Sequence, residues 1–266
     1  MGSAFLEVNM KKTTCYIGIW VFALLFIVSI IMITGHYVLE DKAEDEFDSL
    51  VEIVEEAEET EIEDVNMSDE ETQTPLERYQ ELFRMNNDMY GWISIDGTNI
   101  DYPVMYTPDK KDYYLKHNFE KEYSSYGVPY IAEHCDPRKP SDNVILYGHH
   151  MKNGSMFSDL MKYEDKDFFL SQNTINFESL TETAVYEIIT VFKTTVYDDS
   201  GFKFYLFTDA ETKEEFDAYV ARCKELSLYE TGVSAEYGDK LITLSTCEYS
   251  RTNGRMVVVA KKVLEE

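Results

Sequence analysis

A mostly-β domain, its strands closed or partly closed into a barrel, behind a single membrane-crossing helix, is the architecture the sequence predicts. Three observations carry it. Residues 14–34, TCYIGIWVFALLFIVSIIMIT, hold no charged side chain. From residue 92 onward the chain breaks into short strand-like runs separated by turns, with no alternation of strand and helix, a pattern of barrels rather than of parallel α/β sheets. One helical pattern interrupts those runs, late, just before the last two strands.

The apolar run comes first in the chain. About 20 apolar residues cross a hydrocarbon core, and a signal-peptide core is shorter, roughly 7–15 residues. No A-x-A cleavage site follows, so residues 14–35 read as an uncleaved anchor; a buried core helix would carry interspersed polar positions. Lys11 and Lys12 precede the run, and Glu40 and Asp41 follow it. The positive-inside bias therefore puts residues 1–13 in the cytoplasm and everything after the anchor outside.

The formal charge of −27 over 266 residues is uneven. Residues 1–39 carry +1 and residues 40–72 carry −16, which leaves −12 for residues 73–266. A basic footprint for nucleic acid is missing, which argues against DNA or RNA as a partner. Residues 36–72 read as an acidic extracellular linker, expected to stay solvated and extended. Phe47, Leu50, Val51, Val54 and Ala57 nonetheless recur at helical spacing, so a transient amphipathic helix is the alternative.

The folded domain is expected over residues 73–266. Thr74 as N-cap and Pro75 at the first helical position start a helix whose apolar face is Leu76, Tyr79, Leu82 and Phe83. Asn86, Asn87 and Gly91 end it. Strand-like runs follow: WISIDGTNIDYPVM, with a hairpin signal at IDGTNI, then YGVPYIAE, NVILYG, AVYEIITVFKTTVY, KLITLSTC and RMVVVAKKV. The late helix lies in ETKEEFDAYVARCKELSLY, where Phe216, Tyr219, Val220, Cys223 and Leu226 form a core-facing stripe. Cys223 is thereby read as a packed hydrophobe.

The chemistry-bearing residues are few. Four cysteines, Cys15, Cys135, Cys223 and Cys247, form no C-x-x-C pair, and no D-x-D-x-D-G calcium loop occurs, so no metal and no cofactor are expected. Cys15 reads as a bland apolar residue at the inner membrane edge, and Cys135 as an exposed or half-buried bystander in the loop-like AEHCDPRKP. A redox pair of Cys135 with Cys247 is a weaker reading. In KLITLSTC, Leu241, Thr243, Ser245 and Cys247 share one face and Ile242, Leu244 and Thr246 the other. Two small hydroxyls and a thiol make a poor core face and a reasonable groove wall. The turn EYSRTNG would bring Arg255 beside Cys247 across a hairpin. Nearby positive charge favours a thiolate, and a guanidinium can donate to an oxyanion. A buried thiol near a surface charge fits the same spacing. Among the histidines, His149 stands at the end of an apolar strand behind Gly148, where the backbone could turn sharply; His36, His117 and His134 lie in less suggestive places.

At this point the residues resemble a known family. TLSTC, GRMVVVAKK, YGHHMKNGSMF, YGWISIDGTNIDYPVM and YYLKHNF, found within about residues 75–265, are similar to the sortases, most closely those of class B. The resemblance implies a closed sortase-type β-barrel with N-terminal helices and one long helix inserted before the nucleophile's strand. It implies a membrane-anchored, Gram-positive-type cysteine transpeptidase, with Cys247 as nucleophile, His149 as general acid/base and Arg255 as oxyanion stabiliser. His150 competes with His149, and Arg251 with Arg255. Ser245, Tyr147 and Glu248 would be substrate-binding; Glu248 would orient Arg255 or be a solvated turn carboxylate. The implied partners are secreted proteins with a C-terminal sorting motif, a peptidoglycan precursor or cross-bridge amine, and membrane lipid through the anchor. A catalytically silent wall-binding or adhesin domain and a thiol hydrolase without transfer are the alternatives.

Overall fold

The structure, a computed structural model, describes residues 2–64, 78–137, 141–197 and 201–263; for residues 2–15, 36 and 58–64 it describes the backbone alone. The chain divides into two compact units, Met1–Leu50 and Val51–Glu266.

Helix α1 runs Gly2–Asp64. Between Tyr16 and Glu40 none of the described side chains is buried; Trp20 and Phe22 are 74% and 75% exposed. This segment is long and apolar enough to cross a membrane, and apolar all round is what a lipid-facing helix requires. The acidic stretch corrects one expectation: it is helical as far as Asp64 rather than extended. Glu, Leu and Ala favour helix, and the apolar spacing gathers Phe47, Leu50 and Val54, all buried, onto one face. Residues 65–77, with the expected helix start at Thr74 and Pro75, lie outside the described residues.

The second unit is built on an eight-stranded closed barrel. After α2 (Gln80–Met85) come β1 (Met89–Ser94), β2 (Asp101–Met105), β3 (Tyr130–Ile131), β4 (Asn143–Tyr147), β5 (Thr174–Ser179), β6 (Thr183–Thr195), β7 (Leu241–Glu248) and β8 (Gly254–Lys262). Around the barrel the order is β1-β2-β3-β4-β7-β8-β6-β5, closed by the antiparallel β5–β1 pair. Closure gives every strand two neighbours, although the short β3 meets β2 only at Tyr130 opposite Met105. The predicted IDGTNI turn joins β1 to β2: Ile95 donates its amide to Ile100 O at 3.0 Å, and Gly97 has φ +72°. Gly91, expected to help end the first helix, instead lies within β1.

Strand β4 pairs parallel with β7. Parallel neighbours need a long crossover, and residues 148–240 supply it: a 3-10 helix (Phe157–Glu164), α3 (Lys166–Ser171), β5, β6, a 3-10 helix (Phe204–Leu206) and α4 (Lys213–Leu226). Helix α4 starts as its sequence requires, Thr212 Oγ1 accepting from Glu215 N at 3.3 Å. It buries Phe216, Tyr219, Val220 and Cys223 and packs on β6. The Phe157–Glu164 helix covers β7 and β8 from outside. That cover makes β7 and β8 almost wholly buried on both faces; Leu244 and Met256 through Ala260 are each 0% exposed.

Candidate active site

Two pairings assemble the site. The parallel ladder of β4 and β7 ends with Tyr147 opposite Ser245. One step further, Gly148 N donates to Ser245 O at 3.2 Å, and Thr246 Oγ1 donates to Gly148 O at 2.8 Å. The chain leaving β4 is therefore tied to the end of β7, which delivers His149 to the cavity that Cys247 lines. The second pairing is the β7–β8 hairpin. Its register sets Cys247 directly opposite Arg255, so both side chains share one face at close range. Asn253, at φ 56° in the left-handed region, makes the turn into Gly254.

Cys247, Arg255, His149, Tyr147 and Ser245 all line one cavity of about 530 Å³. Cys247 is a free, half-buried thiol. Arg255 donates to Gly254 O at 2.9 Å, and its guanidinium carbon lies 6.0 Å from the centre of the Tyr197 ring. No carboxylate pairs with it among the described residues, which leaves donors turned to the cavity. Arg251 is exposed in the turn and is not part of the lining.

A ring nitrogen of His149, Nε2, lies 2.8 Å from Leu115 O. A carbonyl only accepts, so Nε2 carries the proton and Nδ1 is the basic nitrogen. Burial holds the imidazole below its ordinary pKa; the Leu115 carbonyl pulls it partly back and Lys116 adds to the lowering. His150, the rival histidine, does not line the cavity; its Nδ1 lies 2.8 Å from Cys247 O. His117 stacks on Tyr113 with ring centres 4.0 Å apart. His134 lines the cavity, but its Nε2 is engaged by Tyr205 O at 2.6 Å.

Ser245 is 1% exposed, and its hydroxyl has no hydrogen-bond partner among the described residues. Thr243, expected on the same groove wall, is fully buried and donates to Asn143 Oδ1 at 2.8 Å, so the wall begins only at Ser245. Glu248 corrects the expectation of a groove carboxylate. Side chains alternate along β7, and with Cys247 on the cavity face Glu248 points away. Its carboxylate, 4% exposed as a residue, accepts from Ser250 N at 2.7 Å and Ser250 Oγ at 2.8 Å, with Lys193 at 3.6 Å. Burial pushes that carboxyl up; Ser250 and Lys193, with Arg251, outweigh it and hold it below the ordinary value.

Gly148 has a different reason from the one expected. Its φ is not in the left-handed region; instead, a Cβ there would lie 2.5 Å from Cγ of Phe157. Cys135, expected exposed or half-buried, is 1% exposed; its sulfur accepts from Ile145 N at 3.4 Å, and burial pushes the thiol up to about 11. It does not line the cavity, which removes the support for a redox pair with Cys247.

The rest of the lining was not found from the sequence. Lys111, Leu115, Lys116, Tyr130, Tyr205 and Leu206 line the same cavity, from other segments of the chain. Leu206, 67% exposed beside the buried Phe204, is the one signal available: an apolar cluster, FYLF, with no strand or long helix to bury it. Together the groups can do acyl-transfer chemistry: a thiol beside a cation, an imidazole with one basic nitrogen, and a cavity leading to them.

The Sortase domain family model matches residues 93–263. Sortase B of Listeria monocytogenes is 38% identical over 186 residues, 69% of this chain and 73% of that protein. The Staphylococcus aureus sortase B–substrate complex superposes with a TM-score of 0.73 at 26% identity, covering 84% of this chain and 97% of that one. A sortase B complexed with triglycine gives a TM-score of 0.73 at 26% identity, covering 84% and 98%.

Proposed function

The chain belongs to the sortase family, in its class B branch, and is a sortase-type cysteine transpeptidase; from that premise we propose that Cys247, His149 and Arg255 carry the reaction on secreted proteins bearing a C-terminal sorting motif. The observation that carries the assignment is the cross-strand pair of Cys247 and Arg255, opening on the same cavity as His149.

The Cys247 sulfur attacks the carbonyl carbon of the motif threonine as Nδ1 of His149 takes the thiol proton, and the carbonyl π electrons move onto oxygen. Arg255 donates to that oxyanion. On collapse the C–N bond breaks, His149 gives its proton to the leaving amine, and a thioacyl enzyme remains. An amine of a peptidoglycan precursor or cross-bridge then attacks; the new C–N bond forms, the C–S bond breaks, and the amine proton returns to His149. A depressed imidazole pKa suits this role, since a proton once taken is readily given up. Ser245, whose buried hydroxyl has no partner among the described residues, and Tyr147 contact the bound peptide. The relatives' complexes with a substrate and with triglycine support a peptide donor and an amine acceptor here.

Residues 14–35 form the membrane span, with residues 1–13 cytoplasmic and the catalytic domain, residues 73–266, outside the cell. Confinement of enzyme and membrane-held donors to one surface raises their effective concentration. The test uses the full chain in detergent, wild type and Cys247→Ala, with peptides of LPxTG, PPxTG and NPxTN type plus hydroxylamine or triglycine, read by mass. A Cys247-dependent threonyl adduct is expected. Acid product alone would mean a hydrolase. No product and no adduct at Cys247 would refute the assignment.

A further inference from the structure

The β4–β7 ladder stops one residue too early to satisfy the nucleophile. Ser245 O faces β4 and takes the Gly148 amide. Two residues on, Cys247 O faces the same edge, since carbonyls on one edge of a strand recur every second residue. By then the β4 chain has turned away, so no backbone donor stands opposite. The side chain of His150 fills the gap, its Nδ1 2.8 Å from Cys247 O. A carbonyl only accepts, so this nitrogen bears a proton. Adjacent histidines thus hold opposite tautomers: His149 protonated at Nε2 and aimed into the cavity, His150 protonated at Nδ1 and turned onto the strand. The tie is reciprocal. Tyr249, two residues beyond the nucleophile, donates its hydroxyl to His150 O at 3.0 Å and sets its ring 4.9 Å from the imidazole.

We propose that His150, braced by Tyr249, is a positioning residue that pins the carbonyl of Cys247 and so fixes the thiol's aim relative to His149. The inference rests on the reaction assigned above. Its physical basis is that the peptide group after Cys247, held by the ladder on its β8 edge alone, would have more play without a donor on its β4 edge, and a displacement of about 1 Å at a reacting atom costs on the order of 100-fold in rate. His150 does not line the cavity, so its loss affects the chemical step and not peptide affinity.

The test compares His150→Leu, His150→Asn and Tyr249→Phe in the full chain. Leucine keeps bulk and removes the donor. Asparagine carries its amide nitrogen the same number of bonds from the backbone as Nδ1, so it can donate to the same carbonyl. Expected are a fall in kcat of about tenfold for His150→Leu, as for one lost hydrogen bond, with KM within about twofold, and recovery to within about threefold in His150→Asn. Tyr249→Phe should lower kcat by less and add nothing in the His150→Leu background. A second readout is independent of activity: hydrogen exchange over residues 245–250 should quicken in His150→Leu and not in His150→Asn. Unchanged kcat with unchanged exchange in His150→Leu overturns the proposal, as does a loss confined to KM. Should the leucine variant not fold, native kcat and exchange in Tyr249→Phe overturn it instead. A wild type inactive on every peptide counts against the transpeptidation assignment, and the exchange experiment still decides this one.

Discussion

Replacing Gly148 by alanine should damage both the fold and the site, and the size of the effect follows from three distances. The new Cβ would lie 2.5, 2.7 and 2.9 Å from Cγ, Cδ2 and Cδ1 of Phe157. Carbon atoms prefer about 3.5–4.0 Å, so ring and backbone must part by about 1 Å. The ring has nowhere to go: Phe157 is 0% exposed, and its amide donates to His149 O at 2.9 Å, so any retreat pulls the histidine with it. Alanine meets no backbone penalty, because φ of Gly148 is not in the left-handed region. Overpacking of this kind costs about 1–3 kcal/mol, which for a domain of this size is a fall in Tm of about 2–10 °C. The dragged His149 should reduce kcat by about 100-fold. Thermal melting and transfer kinetics of the full chain measure both. Gly148→Ala with Phe157→Leu should recover part of each loss, whereas two independent defects would simply add. A Gly148→Ala protein with native melting and native kcat would refute the steric reasoning.

His149→Asn should make stability less sensitive to acid. Burial lowers the folded-state pKa of His149 from 6.5, so below about pH 6.5 the unfolded chain binds a proton the folded one refuses. Wild type then loses stability as pH falls from there toward the lowered value, by at most about 1.4 kcal/mol per pH unit; parallel urea midpoints for both proteins at pH 7.5 and 5.5 would count against it. Arg255→Ala should lower kcat by about 10²–10³-fold, and Arg255→Lys should recover only part, since a point charge replaces a planar fork; native turnover in the alanine variant would remove Arg255 from the mechanism. Thr243→Val should cost about 1–3 kcal/mol by stripping the buried Asn143 Oδ1 of its 2.8 Å partner, read as a lower Tm. Among the three cysteines of the second unit, iodoacetamide should modify Cys247 first. Burial protects Cys135 and Cys223, whose thiols it pushes up to about 11 and about 12; equal labelling would be the contrary result.

Much of the barrel was legible because its strands announce themselves by local chemistry. NVILYG, KLITLSTC and RMVVVAKKV are apolar runs bounded by turn residues, and each proved a strand buried by its neighbours. β5, in contrast, was not read from TINFES. It alternates half-buried and buried positions over six residues with only two strong apolar side chains, Ile175 and Phe177, and its strand state comes from pairing with β1 and β6. The acidic stretch was misjudged for a related reason: like-charge repulsion is visible in a sequence, whereas the burial of Phe47, Leu50 and Val54 that accompanies its helix is not.

The same logic separates the parts of the site. A hairpin has a short closing loop, so TCEYSRTNGR nearly dictates that Cys247 meets Arg255, and the observed register sets them opposite. Glu248 shows that the sequence held more than was taken from it. The period-two alternation that turns Ser245 and Cys247 to one face turns Glu248 to the other, where Ser250 and Lys193 receive it. Proximity in sequence argued for a groove residue, and parity argued against; parity prevails because a strand end still held by Glu248 opposite Gly254 cannot rotate one residue independently. The loop-borne part of the lining obeys neither rule. Lys111, Leu115, Tyr205 and Leu206 reach the cavity through loops and single 3-10 turns, whose side-chain directions have no period to read. A variant in these loops should therefore change which peptide is chosen while leaving the thiol chemistry intact, and Leu206→Ala, exposed and in a single 3-10 turn, is the simplest case: KM for the donor peptide should rise with kcat nearly constant. A fall in kcat alone would mean that these loops take part in setting the thiol, and that the division between a strand-built catalytic end and a loop-built recognition end is wrong.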